Sequence, residues 1–251
     1  MAGPPRPVLV ATGLAKSFDG LRAVDDVSFI ASAGEMVAMI GPNGAGKTTC
    51  FNLVTGQLRA DAGTISLLGE KIDGLPPYAV ARAGIGRTFQ VAATFASMTV
   101  RENVQMALLA HAREERRVTA RAAALHAAQA DALLDRVGMA ALAEEGCGTL
   151  AYGDAKRIEL ALALANSPRA LLMDEPTAGM ATDARGGLMR LARTLARRDG
   201  IAVLFTEHDM DVVFEHADRI IVLDRGRVIA EGKPEAIRAD PVVRAVYLGT
   251  P

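Results

Sequence analysis

The sequence predicts an α/β fold with a mostly parallel central sheet, a small antiparallel β lobe and an inserted helical lobe. From Arg169 onward, apolar strands alternate with helical stretches, as in a parallel sheet whose strands are joined by crossover helices. Between about residues 99 and 166 the pattern is helical and rich in alanine. Near the N-terminus, short apolar runs separated by polar turns are typical of β-strands. These observations predict a helical lobe inserted into an α/β core.

The N-terminal part is predicted to contain four strands and one helix. Residues 8–31 form two strands around a polar turn at 16–21, and residues 63–68 form another strand. Residues 35–40 have the uniformly apolar pattern of a short buried strand, and the chain continues as a helix over 47–54.

The remainder is predicted to be helical first and then alternating. The alanine-rich stretch 120–132 is predicted to be a helix rather than a linker. An apolar strand ends at Met173, and a helix covers about 182–198. A strand at 201–205, a short helix and a strand at 220–223 complete the sheet.

The composition is that of a folded chain with one domain or two closely joined lobes. The chain has 251 residues, half of them hydrophobic, which is enough to bury a large core. We expect a single domain over 8–251, in which 8–90 and 167–251 form the core and β lobe and 91–166 the helical lobe. The 28 basic and 29 acidic side chains give a net charge of -1, which argues against bulk electrostatic binding to nucleic acid or anionic lipid.

Cysteine usage and apolar runs bear on the location of the protein. Cys50 and Cys147 do not suggest a disulfide framework, so a reducing, cytoplasmic setting is expected. The N-terminus lacks the apolar stretch of a secretory signal, and no run approaches the ~18 apolar residues of a membrane span. If the protein works at a membrane, another chain must supply the span.

The loop between the strand at 35–40 and the helix at 47–54 fits the phosphate-binding pattern G-x-x-x-x-G-K-[ST]. Its residues are Gly41, Pro42, Asn43, Gly44, Ala45, Gly46, Lys47, Thr48 and Thr49. Glycines let successive N–H groups point at anionic oxygens, and the helix N-terminus adds a partial positive charge. We expect Lys47 to reach the β- and γ-phosphates, Thr48 to ligate Mg²⁺ and Thr49 to bind a phosphate oxygen. The alternative is a glycine-rich turn without a ligand.

Two acidic residues, Asp174 and Glu175, follow one another at the end of a buried strand. The carboxyl edge of a parallel sheet is where ligands bind in α/β folds. Asp174 can hold Mg²⁺ through a water molecule bound to the metal. Glu175 is placed to orient or deprotonate an attacking water. Such a pair also occurs for purely structural reasons, but its combination with a phosphate loop indicates nucleotide hydrolysis.

A further motif is a glycine-containing turn that opens a helix predicted over 156–165. The turn consists of Leu150, Ala151, Tyr152, Gly153 and Asp154. The apolar face of the helix consists of Ile158, Ala161, Leu162 and Ala165. The phosphate loop, this turn, the two acids and a later histidine occur in an order that resembles the ATP-binding cassette (ABC) ATPases. The resemblance covers essentially the whole chain and implies a P-loop NTPase fold of ABC type, with ATP and Mg²⁺ as its cofactors.

The resemblance implies roles for three further residues. Phe18 matches the aromatic residue that stacks on adenine, although without the family match a lone core phenylalanine would be expected about as often. Gln90 matches the glutamine that reaches the metal and the water and links the core to the helical lobe, although an isolated glutamine is by default a surface residue. His208 matches the histidine that contacts the γ-phosphate. The other histidines, which lack such a context, are expected at the surface: His111, His126 and His216.

The resemblance also implies that two cassettes pair head to tail. Lys47, Glu175 and His208 would then act on one nucleotide, whereas the signature at 150–154 would close over the nucleotide of the partner. The helix opened by Gly153 would offer its N–H groups to that γ-phosphate. Hydrolysis removes the γ-phosphate contacts, so the pair can reopen.

The chain departs from the family pattern at two positions. Ala151 stands where the signature usually has serine, which removes a hydroxyl bond to phosphate worth about 1.5 to 3 kcal/mol if nothing replaces it. Ala181 stands where an Asp or Asn commonly reaches across the dimer. Asp154 lies at a helix N-terminus, and we expect its carboxylate to point away from the phosphate.

The finer resemblance is to the ATPase subunits of bacterial branched-chain amino acid importers, whose signature is often Leu-Ala-Tyr-Gly-Asp. Residues 84–90, 98–104 and 238–249 support it. It implies a machine of two ATPases, two integral membrane permeases and a periplasmic binding protein, with this chain on the cytoplasmic face of the inner membrane. The second ATPase is either another copy of this chain or a different subunit. Residues 91–98 would lie near the groove that accepts a permease helix.

Other functions remain open at this point. A soluble cassette protein that clamps on nucleic acid or ribosomes commonly has two cassettes or a long coiled-coil arm, and this sequence shows neither. A nucleotide-binding regulator without turnover is disfavoured by the presence of Glu175 and His208. Urea, amides or other amino acids are alternative cargoes, because a cassette touches ATP and the permease rather than the solute.

Overall fold

The computed structural model describes residues 6–88, 94–112 and 125–248. The strands are β1 Pro7–Phe18, β2 Leu21–Ser32, β3 Met36–Ile40, β4 Ala62–Leu67, β5 Glu70–Lys71, β6 Ile85–Thr88, β7 Ala170–Asp174, β8 Ala202–Thr206, β9 Arg219–Asp224 and β10 Arg227–Gly232. The helices are α1 Lys47–Val54, α2 Pro77–Ala83, α3 Val100–Ala112, α4 Ala127–Arg136, α5 Tyr152–Leu164, α6 Thr182–Asp199, α7 Met210–His216, α8 Pro234–Ala239 and α9 Pro241–Val243. Short 3₁₀ turns occur at Ala140–Leu142 and Cys147–Thr149, and a π-helical turn at Arg244–Leu248.

The central sheet has the strand order β10-β9-β3-β8-β7-β6. All neighbouring strands are parallel except β9 and β10, which confirms the predicted, mostly parallel sheet. The ends predicted for β7, β8 and β9 are within one residue of those observed. Strands β7 and β8 are aligned so that Asp174 pairs with Thr206. Both strands therefore end at the same edge of the sheet. The short or mixed-polarity strands β5, β6 and β10 were not predicted.

The β lobe is an antiparallel sheet of order β2-β1-β4-β5. Its first hairpin turn is tighter than the turn predicted at 16–21, because Phe18 pairs with Leu21 and leaves only Asp19 and Gly20 between the strands. Both residues have positive φ, 45° and 85°. That is the conformation of a two-residue hairpin turn whose twist matches the flanking strands.

The helices α3, α4 and α5 lie between β6 and β7 in the chain. Helix α5 begins at Tyr152, four residues before the predicted start at 156, so Gly153 lies in the first turn of the helix. In the stretch predicted as helix from 120, the described part becomes helical only at Ala127, because His126 has a left-handed backbone with φ of 57°. The division into segments at 90 and 166 stays a prediction.

The central sheet separates two apolar clusters. Along β3, Met36, Ala38 and Ile40 face a cluster formed with α3 to α7, whereas Val37 and Met39 face a cluster formed with α1 and the β lobe. Full burial of each of the larger side chains, Met36, Val37, Met39 and Ile40, contributes roughly 1.5–3 kcal/mol. Because both faces of β3 are covered, the phosphate loop that follows it starts from a rigid strand.

Five histidine and cysteine side chains test smaller predictions about exposure and pairing. His111 is exposed and His126 is partly exposed, as expected, but the prediction for His216 is wrong. Its side chain is buried at the end of α7, where burial lowers the pKa of the ring. Cys50 and Cys147 are both buried and unpaired.

In the described part of the chain, no helix is both long enough and apolar enough to cross a membrane.

Candidate functional site

The phosphate loop connects β3 to α1, and its backbone requires glycine at two positions. Gly41 has φ of 152°, and a Cβ there would lie 2.1 Å from the carbonyl oxygen of Leu223. Gly46 has φ of 104°, and its Cβ would lie 2.5 Å from the carbonyl oxygen of Ala23. Any side chain at either position would displace the neighbouring backbone. The loop is therefore fixed against β9 and β2.

Lys47 is the first residue of α1 and is buried. Its Nζ donates to the carbonyl oxygens of Gly41 at 2.6 Å and Pro42 at 3.1 Å, so the ammonium group curls back over the loop. Burial lowers the pKa of Lys47, and the negative charges of Glu175 and Asp174 partly oppose that shift. The ammonium therefore shares its surroundings with both acids.

The other loop residues lie beside Lys47 with graded exposure. Thr48 is exposed and Thr49 is half-buried in the first turn of α1. Asn43 and Gly44 are exposed, whereas Ala45 is buried against the second apolar cluster. The Thr48 hydroxyl is thus available to a ligand at the helix N-terminus.

Asp174 is the last residue of β7 and is buried. Its Oδ1 accepts a hydrogen bond from Thr206 Oγ1 at 2.8 Å, and its Oδ2 lies 3.2 Å from Arg87 Nη2. Glu175 follows with φ of 47°, and its N–H donates to Thr206 Oγ1 at 3.0 Å. The Glu175 Oε1 lies 2.8 Å from His208 Nε2. Five side chains from three adjacent strands and their connections thus converge at one sheet edge.

The histidine is held by a buried acid next to it in the chain. Glu207 accepts hydrogen bonds from the N–H and the hydroxyl of Thr177, at 2.8 Å and 2.7 Å, and from the N–H of His208 at 3.3 Å. Burial raises the pKa of Glu207 despite these bonds. Glu207 therefore joins the loop after the two acids to the loop that carries His208.

The signature turn precedes and begins helix α5, with Ala151 as its N-cap. Ala151 and Tyr152 are exposed, whereas Leu150 and Asp154 are half-buried. The side chain of Ala151 makes no capping bond, so the first N–H groups of α5 are available to an external acceptor. Tyr152 Oη donates to the carbonyl oxygen of Ala178 at 3.1 Å, which ties the signature to the loop after the acids.

Phe18, predicted to stack on adenine, belongs to the β lobe rather than to the edge of the central sheet. Phe18 lies at the tip of the first hairpin, 41% exposed, with Lys16 Nζ 5.7 Å from the ring centroid. An exposed ring in this position is not a core phenylalanine. Gln90 lies outside the described residues.

Sequence reasoning missed three side chains that contact the predicted site residues or the loop after them: Arg87, Thr206 and Glu207. Arg87 and Thr206 hold the two oxygens of Asp174, and Glu207 holds the loop beside the acids. Their only sequence signal is proximity to predicted site residues. Thr206 and Glu207 immediately precede His208, and Arg87 lies on the strand that leads to Gln90.

The described residues fit a nucleoside triphosphate with Mg²⁺. The loop combines a helix N-terminus, backbone fixed by glycine and one ammonium group, which together suit phosphate oxygens. Thr48 and Asp174 offer the hard oxygen atoms that Mg²⁺ prefers.

Comparison with known proteins identifies the family. The ABC transporter family profile matches residues 24–178. The chain belongs to the ABC transporter family. This ABC protein is accordingly an ATPase with a nucleotide site, and its fold is the ABC type of P-loop fold. A second profile, described as branched-chain amino acid ATP-binding cassette transporter, matches residues 227–251.

The relatives and solved structures cover nearly the whole chain of this ABC ATPase. The high-affinity branched-chain amino acid transport ATP-binding protein BraF of Pseudomonas aeruginosa is 39% identical, with 97% of this chain and 98% of BraF covered. The corresponding LivG of Escherichia coli is 38% identical, with the same coverage. The ADP conformation of an ABC transporter cassette superposes with a TM-score of 0.87 at 29% identity, covering 97% of this chain and 99% of that one. A dimeric, post-hydrolysis cassette bound to ADP and Pi gives a TM-score of 0.76 at 25% identity, covering 90% and 98%.

Proposed function

We propose that this chain is the ATP-hydrolysing subunit that powers an importer of branched-chain or related amino acids. The observation that carries the ATPase part is the convergence of Lys47, Asp174, Glu175 and His208 at one sheet edge. The cargo rests on similarity to BraF and LivG along nearly the whole chain and on the C-terminal match over 227–251.

Within one subunit, the phosphate loop and Lys47 bind the phosphates. Thr48, Asp174 and Gln90 hold Mg²⁺, which when bound neutralises charge on the phosphate oxygens. Glu175 accepts a proton from the attacking water. As it does so, the water oxygen bonds to the γ-phosphorus and the bond between the γ-phosphorus and the β,γ-bridging oxygen breaks. His208, hydrogen-bonded to Glu175, contacts the γ-phosphate.

Further contacts position the nucleotide. The exposed ring of Phe18 stacks on adenine. The backbone N–H groups of the phosphate loop, including that of Asn43, surround the phosphates. Thr49 donates a further hydrogen bond to a phosphate oxygen.

A second subunit completes the site. Residues 150–154 act on the nucleotide of the partner, to which the N-terminus of α5 presents its N–H groups. The exposure of Ala151 and Tyr152 supports this assignment, and so does the dimeric state named for a structural relative. ATP binding closes the pair and hydrolysis reopens it.

The permeases contact a groove between α2, β6, α3 and α5. Its volume is about 670 Å³, and Tyr78, Val80, Phe95, Met106 and Leu162 give it an apolar lining. Phe95 is 54% exposed and lies within residues 91–98, for which a permease contact is predicted. A helix of an integral membrane permease is the proposed occupant, and it places the ATPase on the cytoplasmic face of the membrane. A periplasmic binding protein delivers the solute to the permeases.

Gentle purification from membranes with mass identification of the bound proteins tests this function. We expect two permeases, and either a second ATPase or only this chain. Recovery of ribosomes or nucleic acid without permeases would overturn import in favour of a soluble clamp. Substrate-stimulated ATPase activity of the purified assembly, with leucine-like amino acids compared against urea and amides, identifies the cargo.

A further inference from the structure

Arg87 lies between α1 and β7, the elements that supply Thr48 and Asp174, two of the three proposed metal ligands. It is on β6, and its side chain is only 10% exposed. Its Nη2 lies 3.2 Å from Asp174 Oδ2, at the end of β7. The neighbouring Nη1 donates to Asn52 Oδ1 at 2.8 Å and to Thr55 Oγ1 at 3.1 Å, at the end of α1. One planar group therefore touches the end of β7 and the end of α1 at once.

The same guanidinium has further contacts with the turn after α1. Its Nη1 lies 3.1 Å from Gln57 Oε1, and its carbon lies 6.0 Å from the centroid of the Phe51 ring. A guanidinium presents several N–H groups in a rigid plane, whereas an ammonium group is a point charge on a flexible stem. Arg87 can therefore fix the distance and the angle between its partners, which lysine cannot do.

The carboxylate of Asp174 is fixed by two donors on different oxygens. Thr206 Oγ1 donates to Oδ1 at 2.8 Å, and Arg87 approaches Oδ2. Two donors, one on each oxygen, determine the plane of the carboxylate. Each oxygen keeps a further lone pair for a metal-bound water.

We propose that Arg87 is a positioning residue that holds Asp174 in register with α1, and through α1 with Thr48. Two of the three residues assigned to Mg²⁺ come from separate elements, since Thr48 is in the first turn of α1 and Asp174 ends β7. Arg87 ties these elements together, so the geometry of the Mg²⁺ site depends on it. The inference rests on the proposed Mg²⁺–ATP site and adds a residue to it.

The test measures how Mg²⁺ increases the binding of a fluorescent ATP analogue at equilibrium. The quantity compared is the Mg²⁺ concentration that gives half of the maximal increase. Arg87→Met is expected to raise this concentration about 10- to 100-fold, as the loss of partners around metal ligands typically does. Arg87→Lys keeps the charge but not the fork and is expected to give a smaller rise. Binding of the analogue in EDTA should stay within about twofold of wild type, since Arg87 is assigned no phosphate contact.

Two further variants make the test specific. Arg101→Lys is the matched control, because Arg101 pairs with Asp131 between α3 and α4 and has no assigned role in the site. Gln57→Ala removes one exposed partner of Arg87 and leaves the buried pair with Asp174 in place. It is expected to retain the fold and to raise the Mg²⁺ requirement slightly.

The outcomes separate this inference from the proposed function. An Arg87→Met variant with wild-type melting temperature and an unchanged Mg²⁺ requirement overturns the positioning role. If both Arg87 variants fail to fold, an unchanged requirement in Gln57→Ala overturns it instead. Wild-type protein that binds the analogue no better with Mg²⁺ than without it contradicts the proposed site itself.

Discussion

At the scale of single residues, Glu175 has an unusual backbone. Its φ of 47° is left-handed, which costs a non-glycine residue about 1–3 kcal/mol. The hydrogen bonds to Thr206 and His208 hold it there. Because this conformation turns the chain at the end of β7, the Glu175 side chain leaves the alternation of the strand and reaches His208.

We expect Glu175→Gln to lower ATP hydrolysis by about 100-fold or more, because an amide of nearly the same shape cannot accept the proton of the water. Phosphate release measures the loss, and equilibrium titration should show ATP affinity within about twofold of wild type. Glu215→Gln, on a side chain that is 64% exposed, is the control and should hydrolyse ATP normally. Unchanged turnover in Glu175→Gln would remove Glu175 from the role of base.

Lys47→Ala should weaken ATP binding about 10- to 100-fold, since a charge-assisted hydrogen bond contributes about 1.5–3 kcal/mol. Isothermal titration measures the affinity, and Lys71→Ala, on an exposed lysine, serves as control. Undiminished affinity in Lys47→Ala would contradict the assigned loop.

The lowered pKa of Lys47 adds a pH dependence. The pKa of its ammonium group lies below the ordinary lysine value of 10.5. The ATP affinity of the wild type should therefore begin to fall at a lower pH than it would if an exposed lysine bound the phosphates. Lys47→Ala should lack this part of the pH profile. The same slope in both proteins would assign it to another group.

At the scale of elements, the first turn of α5 contains a glycine that its own fold does not require. A Cβ at Gly153 would meet Met180 Cε at 3.7 Å and Ala184 Cβ at 3.9 Å, which are ordinary contacts. Glycine is a poor helix former, less favourable than alanine by about 0.8–1.0 kcal/mol in a helix interior. Its presence fits close approach by a partner's phosphate.

We therefore expect Gly153→Ala to leave the free energy of unfolding unchanged or raise it by up to about 1 kcal/mol, while ATP-dependent dimerisation is weakened. Urea denaturation and light scattering with ATP measure the two effects. Gly187→Ala, on the neighbouring helix α6, is the control for propensity alone. Normal dimerisation in Gly153→Ala would show that the signature backbone does not approach the nucleotide.

The loop after the two acids is anchored by Glu207. Glu207→Ala removes the acceptor of two hydrogen bonds from buried Thr177, so the free energy of unfolding should fall by about 2–4 kcal/mol. Urea denaturation measures the change. A loss below about 0.5 kcal/mol would mean that water replaces Glu207.

The raised pKa of Glu207 predicts how this stability varies with pH. The folded state holds the proton more tightly than the unfolded state, whose pKa is near 4.5. The stability from this group is complete below that pH and is lost as pH rises through the higher folded pKa. Relative to Glu207→Gln, wild type should therefore become less stable as pH rises from 4.5. A difference that is constant with pH would contradict this.

At the scale of the whole molecule, one chain contains the residues proposed for both half-sites. Phosphate-loop and acid residues meet at the sheet edge, whereas the signature is tied by Tyr152 to the loop after the acids. The alanines at 151 and 181 are both exposed helix N-caps without a side-chain capping bond. Neither methyl side chain can donate a hydrogen bond across a dimer, so backbone N–H groups and the helix dipole would have to bind the nucleotide between the subunits.

We expect purified Glu175→Gln to form a homodimer with Mg²⁺ and ATP, because the nucleotide then stays unhydrolysed between the subunits. Light scattering should show a doubling of mass that ADP does not produce. The same variant with Lys47→Ala added should remain monomeric. A monomer under all conditions would favour a different ATPase as the partner in the cell.

Local sequence predicted four of the six strands of the central sheet, the phosphate loop and the positions of the two acids. The alternation after residue 169 predicted the parallel sheet, and the glycine spacing at 41–46 predicted the loop, because both depend on preferences of adjacent residues. The same local reasoning did not predict the start of α5 at Tyr152 or the burial of His216, because both depend on neighbouring elements.

Only the tertiary structure decided what surrounds the carboxylate of Asp174. Arg87 lies 87 positions away from it in the chain and Thr206 lies 32 positions away, and they meet it through the register of β6, β7 and β8. Strand register is fixed by the packing of both sheet faces rather than by any local pattern. The sequence by itself therefore determined that this protein holds a nucleotide, whereas the packed sheet decided which side chains hold its acids in place.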